Sequence, residues 1–557
     1  MAKTIRTRPS GWRTEVRVLA AVMCQAMLCV VNGSNASAMQ PQSTRPAVAR
    51  PSASRPQFDV LLRGGIVIDG TGAKRRRADV AISGSRVAKV ATTIPTALAK
   101  RVIDVTGMIV APGFIDPHAH ITAIASHPDA ENFLRQGITT IFNSLHSLDQ
   151  PYPLRAFLDT LHVAPNTLWS AGHTWARTRV MGRENRAPTG VELDSMRALV
   201  SRAMDDGAFG LGTGLEYIPA TYAKTDELIA LARASIRPGA LYVTHLRDEG
   251  STLMPAIREA ITVGASAKLP VHISHIKSTG AENWGQSRAA LALVDSVNRR
   301  GAKVSFDVYP YAAYSTYSDV LFPAWALADG PDSVFARTRN AGTRARMHEE
   351  MKPIFLAQTG GTAASVQFRD SKVAPEFAGR TLADYLRAKG KPETIDNVVD
   401  ALIDLQAAGG FTAIVHAMSD RDIDAFLSHP AATVSTDGDL VTIGQGFPHP
   451  RSYGAFPRVL SLYVRDRHLL TLEAAIAKMT RVPAQILGLT NRGLLKVGAN
   501  ADIVVFDEAR IADKATFTDP HHYSEGVSYL FINGTAVLDS ARTTGARPGV
   551  AIRRRAP

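Results

Sequence analysis

Short apolar runs separated by amphipathic stretches set the rhythm of the chain between residues 113 and 485. Phe114-Ile115, Thr139-Thr140-Ile141-Phe142, Thr167-Leu168-Trp169, Phe209-Gly210-Leu211, Leu241-Tyr242-Val243, Val271-His272-Ile273, Val304-Ser305-Phe306 and Thr433-Val434 are candidate strands. Strands covered on both faces read as apolar runs, and their alternation with helical stretches predicts a parallel sheet. Eight such units predict an α/β fold, a (β/α)8 TIM-like barrel over residues 113–485. About residues 329–410, between the last two strands, form too long a gap for one helix and predict an inserted subdomain.

The flanks follow another rhythm. Val60-Leu61-Leu62, Gly65-Ile66-Val67-Ile68, Ala78-Asp79-Val80-Ala81-Ile82 and Met108-Ile109-Val110 are strand-like and separated by glycine turns. The pattern returns at Ala501-Asp502-Ile503-Val504-Val505-Phe506 and Val527-Ser528-Tyr529-Leu530-Phe531-Ile532. A β-sandwich built from both chain ends, residues 57–112 and 486–557, is the expectation.

At the N-terminus, Lys3, Arg6, Arg8, Arg13 and Arg17 precede an apolar run from Val18 to Val31, then Ala36-Ser37-Ala38. Basic, apolar, then small is the order of a secretory signal peptide, here residues 1–38 with cleavage after Ala38. The run is short for a membrane span of ~20 residues, so no stable membrane anchor is expected after cleavage. Residues 39–56, rich in Pro, Ser, Ala and Arg, read as a flexible leader. The protein is expected to be secreted, into the periplasm. Cys24 and Cys29, its only cysteines, both lie in the signal, so the mature chain has neither a disulfide nor a thiolate ligand.

Of 557 residues, 45% are hydrophobic and 20% charged, enough apolar material for a large core. The net charge of +13 falls to +9 without residues 1–38, which carry five basic residues and one acidic residue. No basic run is interleaved with aromatics, which argues against nucleic acid as partner; the mildly basic balance suits a small anionic substrate. Homo-oligomerisation is left open.

The chemistry concentrates at strand ends. In Gly113-Phe114-Ile115-Asp116-Pro117-His118-Ala119-His120 two histidines at i and i+2 share a strand face. At a barrel strand's C-terminal end that face opens onto the active-site side, and imidazole suits zinc and similar ions. His245 and His275 end the fifth and sixth candidate strands, and Asp437 ends the eighth. His272 points to the opposite face from His275 by alternation. One histidine at a strand end is usually a packing residue; four with an aspartate, all at strand mouths, form a metal-hydrolase constellation. His173, after the third strand, is a candidate to bind the scissile carbonyl or line the pocket, and His127, His146, His416 and His449 are lesser candidates.

These residues, with Gly212-Thr213-Gly214-Leu215, Thr244-His245-Leu246-Arg247-Asp248-Glu249-Gly250, Tyr309-Pro310-Tyr311, His449-Pro450-Arg451 and Asp519-Pro520-His521, make the chain resemble the amidohydrolase superfamily, and within it the D-aminoacylase family. The resemblance covers nearly all of Phe58 to Arg554. It implies Zn²⁺, one or two ions per chain, on His118, His120, His245 and His275, with Asp437 as the catalytic base. It also implies that Lys277, Tyr309, Ser315 and Arg451 bind the substrate carboxylate. The implied reaction is hydrolysis of an N-acyl-D-amino acid to a carboxylate and a free D-amino acid. The same site could serve a dipeptidase, a carboxypeptidase-like enzyme or a cyclic-amide hydrolase; a silent scaffold would lack several of these ligands.

One departure stands out. Where the family carries a metal-bridging cysteine after the second strand, this chain has Asn143-Ser144-Leu145-His146. An imidazole lone pair serves one ion, so His146 is a poor bridge. Glu216, after the fourth strand, offers two carboxylate oxygens and is the expected substitute ligand.

Overall fold

The computed structural model describes residues 56–144 and 149–554. The signal segment, the leader up to residue 55 and His146 lie outside the described residues.

All eight apolar runs mark barrel strands, with Phe209 falling one residue before its strand. They are Phe114–Ala119, Ile138–Asn143, Asn166–Trp169 continued by Ala171–Gly172, Gly210–Gly214, Leu241–His245, Val271–Ile273, Val304–Val308 and Ala432–Val434. The ladders between them are parallel. The ring closes where Asp437 N donates to His118 O (2.9 Å) and His120 N donates to Gly438 O (2.8 Å). Helices such as Thr225–Ala234, Leu253–Ala267 and Ser287–Arg299 return the chain between strands. Their buried residues recur at spacings of three and four, as in Ile257, Ala260, Val263, Gly264 and Ala267, the stripe a helix needs to cover a sheet. Gly190–Asp205 starts with a reciprocal cap between Thr189 and Glu192. Among the described residues no helix is long and apolar enough to cross a membrane.

Two boundaries differ from expectation. The inserted subdomain is wider than residues 329–410, because its antiparallel sheet joins Tyr314–Tyr317, Thr412–Val415 and Val366–Asp370. The strand Tyr314–Tyr317 is short, with alternate residues less buried, so it carries no apolar run. The end of the chain also leaves the expected sandwich region. Val550 O accepts from Thr167 N (3.0 Å), and Ile552 N donates to Thr167 O (2.8 Å), so the tail docks on the third barrel strand. Gly549 permits this approach, since a Cβ there would sit 2.1 Å from Pro165 O.

The two chain ends do share one sheet. Ile109–Pro112 pairs antiparallel with Ile503–Phe506 and parallel with Phe58–Val67. Leu62, Val80, Ile82 and Val110 from one end and Ile503, Val505 and Phe531 from the other fill one apolar cluster. Asp502 O accepts from Gly113 N (2.8 Å) at the entry to the first barrel strand, which anchors that strand to the sheet.

Candidate active site

The seam that closes the barrel assembles the first group of functional side chains. Asp116 Oδ1 accepts from His118 N (3.2 Å) and Thr436 N (3.1 Å), and its Oδ2 accepts from Thr436 Oγ1 (2.5 Å). This buried carboxylate staples strand one to strand eight. With the register fixed, His118 Nε2 and His120 Nε2 lie 3.3 and 2.9 Å from the same oxygen, Asp437 Oδ1. Asp437 Oδ2 is 2.6 Å from an Arg451 guanidinium nitrogen. Burial opposes the charge on Asp437, but Arg451, His275 and hydrogen bonds from His118 and His120 hold it well below the usual carboxylate range.

Strands four, five and six supply the second group. His245 Nε2 lies 2.9 Å from Glu216 Oε2, and His245 Nδ1 lies 2.9 Å from His275 Nε2. His275 Nδ1 is 3.2 Å from Glu249 Oε1. Burial pushes His245 down to about 4 and His275 well below its ordinary range, so both rings are neutral at pH 7. The two groups adjoin, with the His118 and His275 ring centroids 4.8 Å apart.

Backbone geometry sets two of these residues apart. His275 and Asp437 have φ of 35° and 47°, a left-handed conformation that costs a non-glycine residue about 1–3 kcal/mol. Neighbours hold it in place. His275 N donates to Asp307 Oδ1 (2.9 Å), and Asp437 N to His118 O. Asp307 also accepts from Ser435 Oγ (2.5 Å), and its Oδ2 lies 2.9 Å from His272 Nε2. His272 is therefore a brace on Asp307, whose Oδ2 also lies 3.8 Å from His118 Nδ1.

These residues fit a metal. Ligand atoms of His118, His120 and Asp437 lie within 4.8 Å of one another, and so do those of His245, Glu249 and His275. Neutral imidazoles and ionised carboxylates are the donors that zinc-type ions take. Burial and the nearby Glu249 push Glu216 up to about 8, so its ionised form calls for a cation beside it.

A narrow inner pocket of about 30 Å³ is lined by His120, Glu216, His245, Glu249, His275 and Asp437, with Lys277, Tyr309, Ser315 and Arg451 around them. It shares His120, Tyr217, Ser315 and Arg451 with an outer chamber of about 540 Å³. Lys277 reaches the pocket, but its ammonium is engaged by Glu249 Oε2 (2.6 Å) and His275 Nδ1 (2.7 Å). The Arg451 guanidinium lies over the Tyr309 ring, 4.9 Å from its centroid.

His173 is a correction, since it lines neither the pocket nor the chamber. It is fully buried, and its Nε2 lies 2.9 Å from Glu227, which also pairs with Arg177 at 2.5 Å. A histidine after an apolar strand has here turned into the helix layer, where a buried carboxylate holds it. Glu249, Arg369 and Asp439 are site residues that the sequence reading missed. Glu249 stands four residues after His245 in a run already singled out, a spacing that could have flagged it. Arg369 comes from the inserted sheet, where no motif marks it; it donates to Ser315 Oγ (3.1 Å) and pairs with Asp439 at 2.5 Å.

A parallel barrel with histidines and an aspartate at its strand mouths defines a class of hydrolase, and the chain belongs to it: the amidohydrolase family profile matches residues 101–538. Within that family it groups with the D-aminoacylases. It is 34% identical over 525 residues to the D-aminoacylase of Alcaligenes xylosoxydans xylosoxydans, covering 90% of this chain and 98% of that one. It is 35% identical over 522 residues to the N-acyl-D-aspartate deacylase of the same organism, covering 88% and 94%. A solved structure of N-acyl-D-glutamate deacylase from Bordetella bronchiseptica, complexed with zinc and a phosphonate mimic of the tetrahedral intermediate, is similar with a TM-score of 0.75. That likeness has 31% identity over 89% of this chain and all of that one.

Proposed function

We propose that the protein hydrolyses the amide bond of N-acyl-D-amino acids to a carboxylate and a free D-amino acid, using zinc, one or two ions per chain. The observation that carries this reading is the convergence of four histidines and Asp437 beside Arg451, Tyr309 and Ser315 at one end of the barrel. The likeness to D-aminoacylase and the two deacylases supports the D-substrate. His118, His120, Glu216, His245 and His275 would hold the metal. When bound there, such an ion lowers the pKa of water toward ~7 and polarises a carbonyl.

The chain's own groups supply the rest. Asp437, kept ionised, takes a proton from the attacking water on Oδ1 and returns it to the leaving amine. Arg451 is buried, and its Nε donates no hydrogen bond among the described residues, which leaves a guanidinium donor for the substrate carboxylate. Tyr309 packs beneath that guanidinium, and Ser315 Oγ is a further polar group on the pocket wall.

Hydrolysis of N-acetyl-D-amino acids by zinc-loaded protein, set against L-enantiomers and dipeptides, tests the reading. The D-series is expected to be preferred, with activity lost on chelation and restored by zinc. A preference for L-substrates would overturn the substrate, and protein that binds no zinc would overturn the hydrolase. Glu216→Gln is expected to lower the zinc bound per chain, read by elemental analysis; unchanged stoichiometry would remove Glu216 from the ligand set.

The order of basic, apolar and small residues at the N-terminus supports export to the periplasm. A mature protein whose sequenced N-terminus is Met39 would bear this out, and one retaining residues 1–38 would not.

A further inference from the structure

The outer chamber carries charge that the hydrolysis does not use. Two of its arginines are engaged already, Arg451 by Asp437 at 2.6 Å and Arg369 by Asp439 at 2.5 Å. That leaves Asp149, Asp319 and Asp370 on the wall against Arg183. Among the described residues none of these four has an ion-pair partner.

Asp319 is the most constrained of them. Its Oδ1 is buried and accepts no hydrogen bond among the described residues. Burial pushes its carboxyl up to about 6, which Arg183 and backbone hydrogen bonds offset only in part. A buried carboxylate oxygen without a donor is costly and is relieved by a cation or a donor that reaches it. Beside it in the chain, Tyr317 meets Tyr217 edge to face, with centroids 5.9 Å apart. Both rings line the chamber, and aromatic faces attract cations.

We propose that the chamber receives a cationic group, an ammonium or guanidinium, at the far end of the substrate, held by Asp319 and the Tyr217–Tyr317 pair. The inference rests on the deacylase reading and names its substrate class. An acidic far end meets uncompensated aspartates instead. The cation can be carried by the D-side chain or by the acyl group.

Zinc-loaded enzyme is assayed in two arms. One compares N-acetyl-D-lysine with N-acetyl-D-norleucine and N-acetyl-D-glutamate; the other compares 6-aminohexanoyl-D-alanine with hexanoyl-D-alanine. In the arm that carries the cation correctly, kcat/KM for the cationic member is expected to exceed the neutral one by about tenfold, as for one charge-assisted hydrogen bond. The acidic member falls below both. Asp319→Asn should bring the cationic-to-neutral ratio close to one. Wild-type enzyme that prefers the neutral or acidic member in the first arm and the neutral member in the second overturns the proposal, and so does an unaltered ratio in Asp319→Asn. Inactivity toward every compound in both arms removes the deacylase reading itself, a result distinct from a reversed preference.

Discussion

Asp437→Asn is expected to lower kcat by about 10²–10⁴-fold, the range for loss of a general base, while the protein stays folded. Asparagine is nearly isosteric and tolerates left-handed backbone better than most residues, so the φ of 47° and the bond from Asp437 N to His118 O survive. What disappears is an ionised oxygen that faces His118 and His120 and pairs with Arg451. Turnover at saturating N-acyl-D-amino acid, with circular dichroism as the folding control, checks the expectation. A variant that keeps more than a tenth of the wild-type rate would mean that another group moves the proton.

Arg177→Met is expected to cost about 3–5 kcal/mol of stability, the usual penalty for stranding one partner of a buried ion pair. Arg177 is fully buried, pairs with Glu227 at 2.5 Å and donates to Arg186 O at 2.6 Å. Its loss leaves the Glu227 carboxylate with His173 alone. Urea denaturation measures the change, and a loss below about 1 kcal/mol, the level of an exposed pair, would contradict the account. The pH dependence has a defined sign. Burial opposes the charge on Glu227, but His173 and Arg177 prevail and lower its pKa. Its contribution is therefore complete above the unfolded glutamate value of about 4.3 and is lost as pH falls through the folded value. The gap between variant and wild type should close in acid. The double variant Arg177→Met/Glu227→Gln should lose less than the two single losses combined.

The barrel was legible because parallel strands covered on both sides must be apolar throughout, and eight such runs stand out from polar surroundings. The histidines were legible for a related reason, since polar side chains at the ends of apolar strands need a purpose. What escaped the sequence depends on contacts between distant segments. Arg369 reaches Ser315 and Asp439 only because the inserted sheet folds back over the barrel mouth. His173 looked like a pocket residue until Glu227, 54 positions away, proved to be its partner. Neither pairing leaves a periodic trace. The tail misled for the same reason, because the docking of residues 549–554 on the barrel is written in backbone bonds to Thr167 and Gly207, not in apolar spacing.

The shared terminal sheet has a consequence in time. Ile109–Pro112 presents a strand edge whose neighbour, Ile503–Phe506, is nearly 400 residues downstream. A ribosome delivers the first strand long before the second exists, and an unpaired edge is a template for unwanted pairing. The sheet is therefore completed last, after nearly the whole polypeptide has been made.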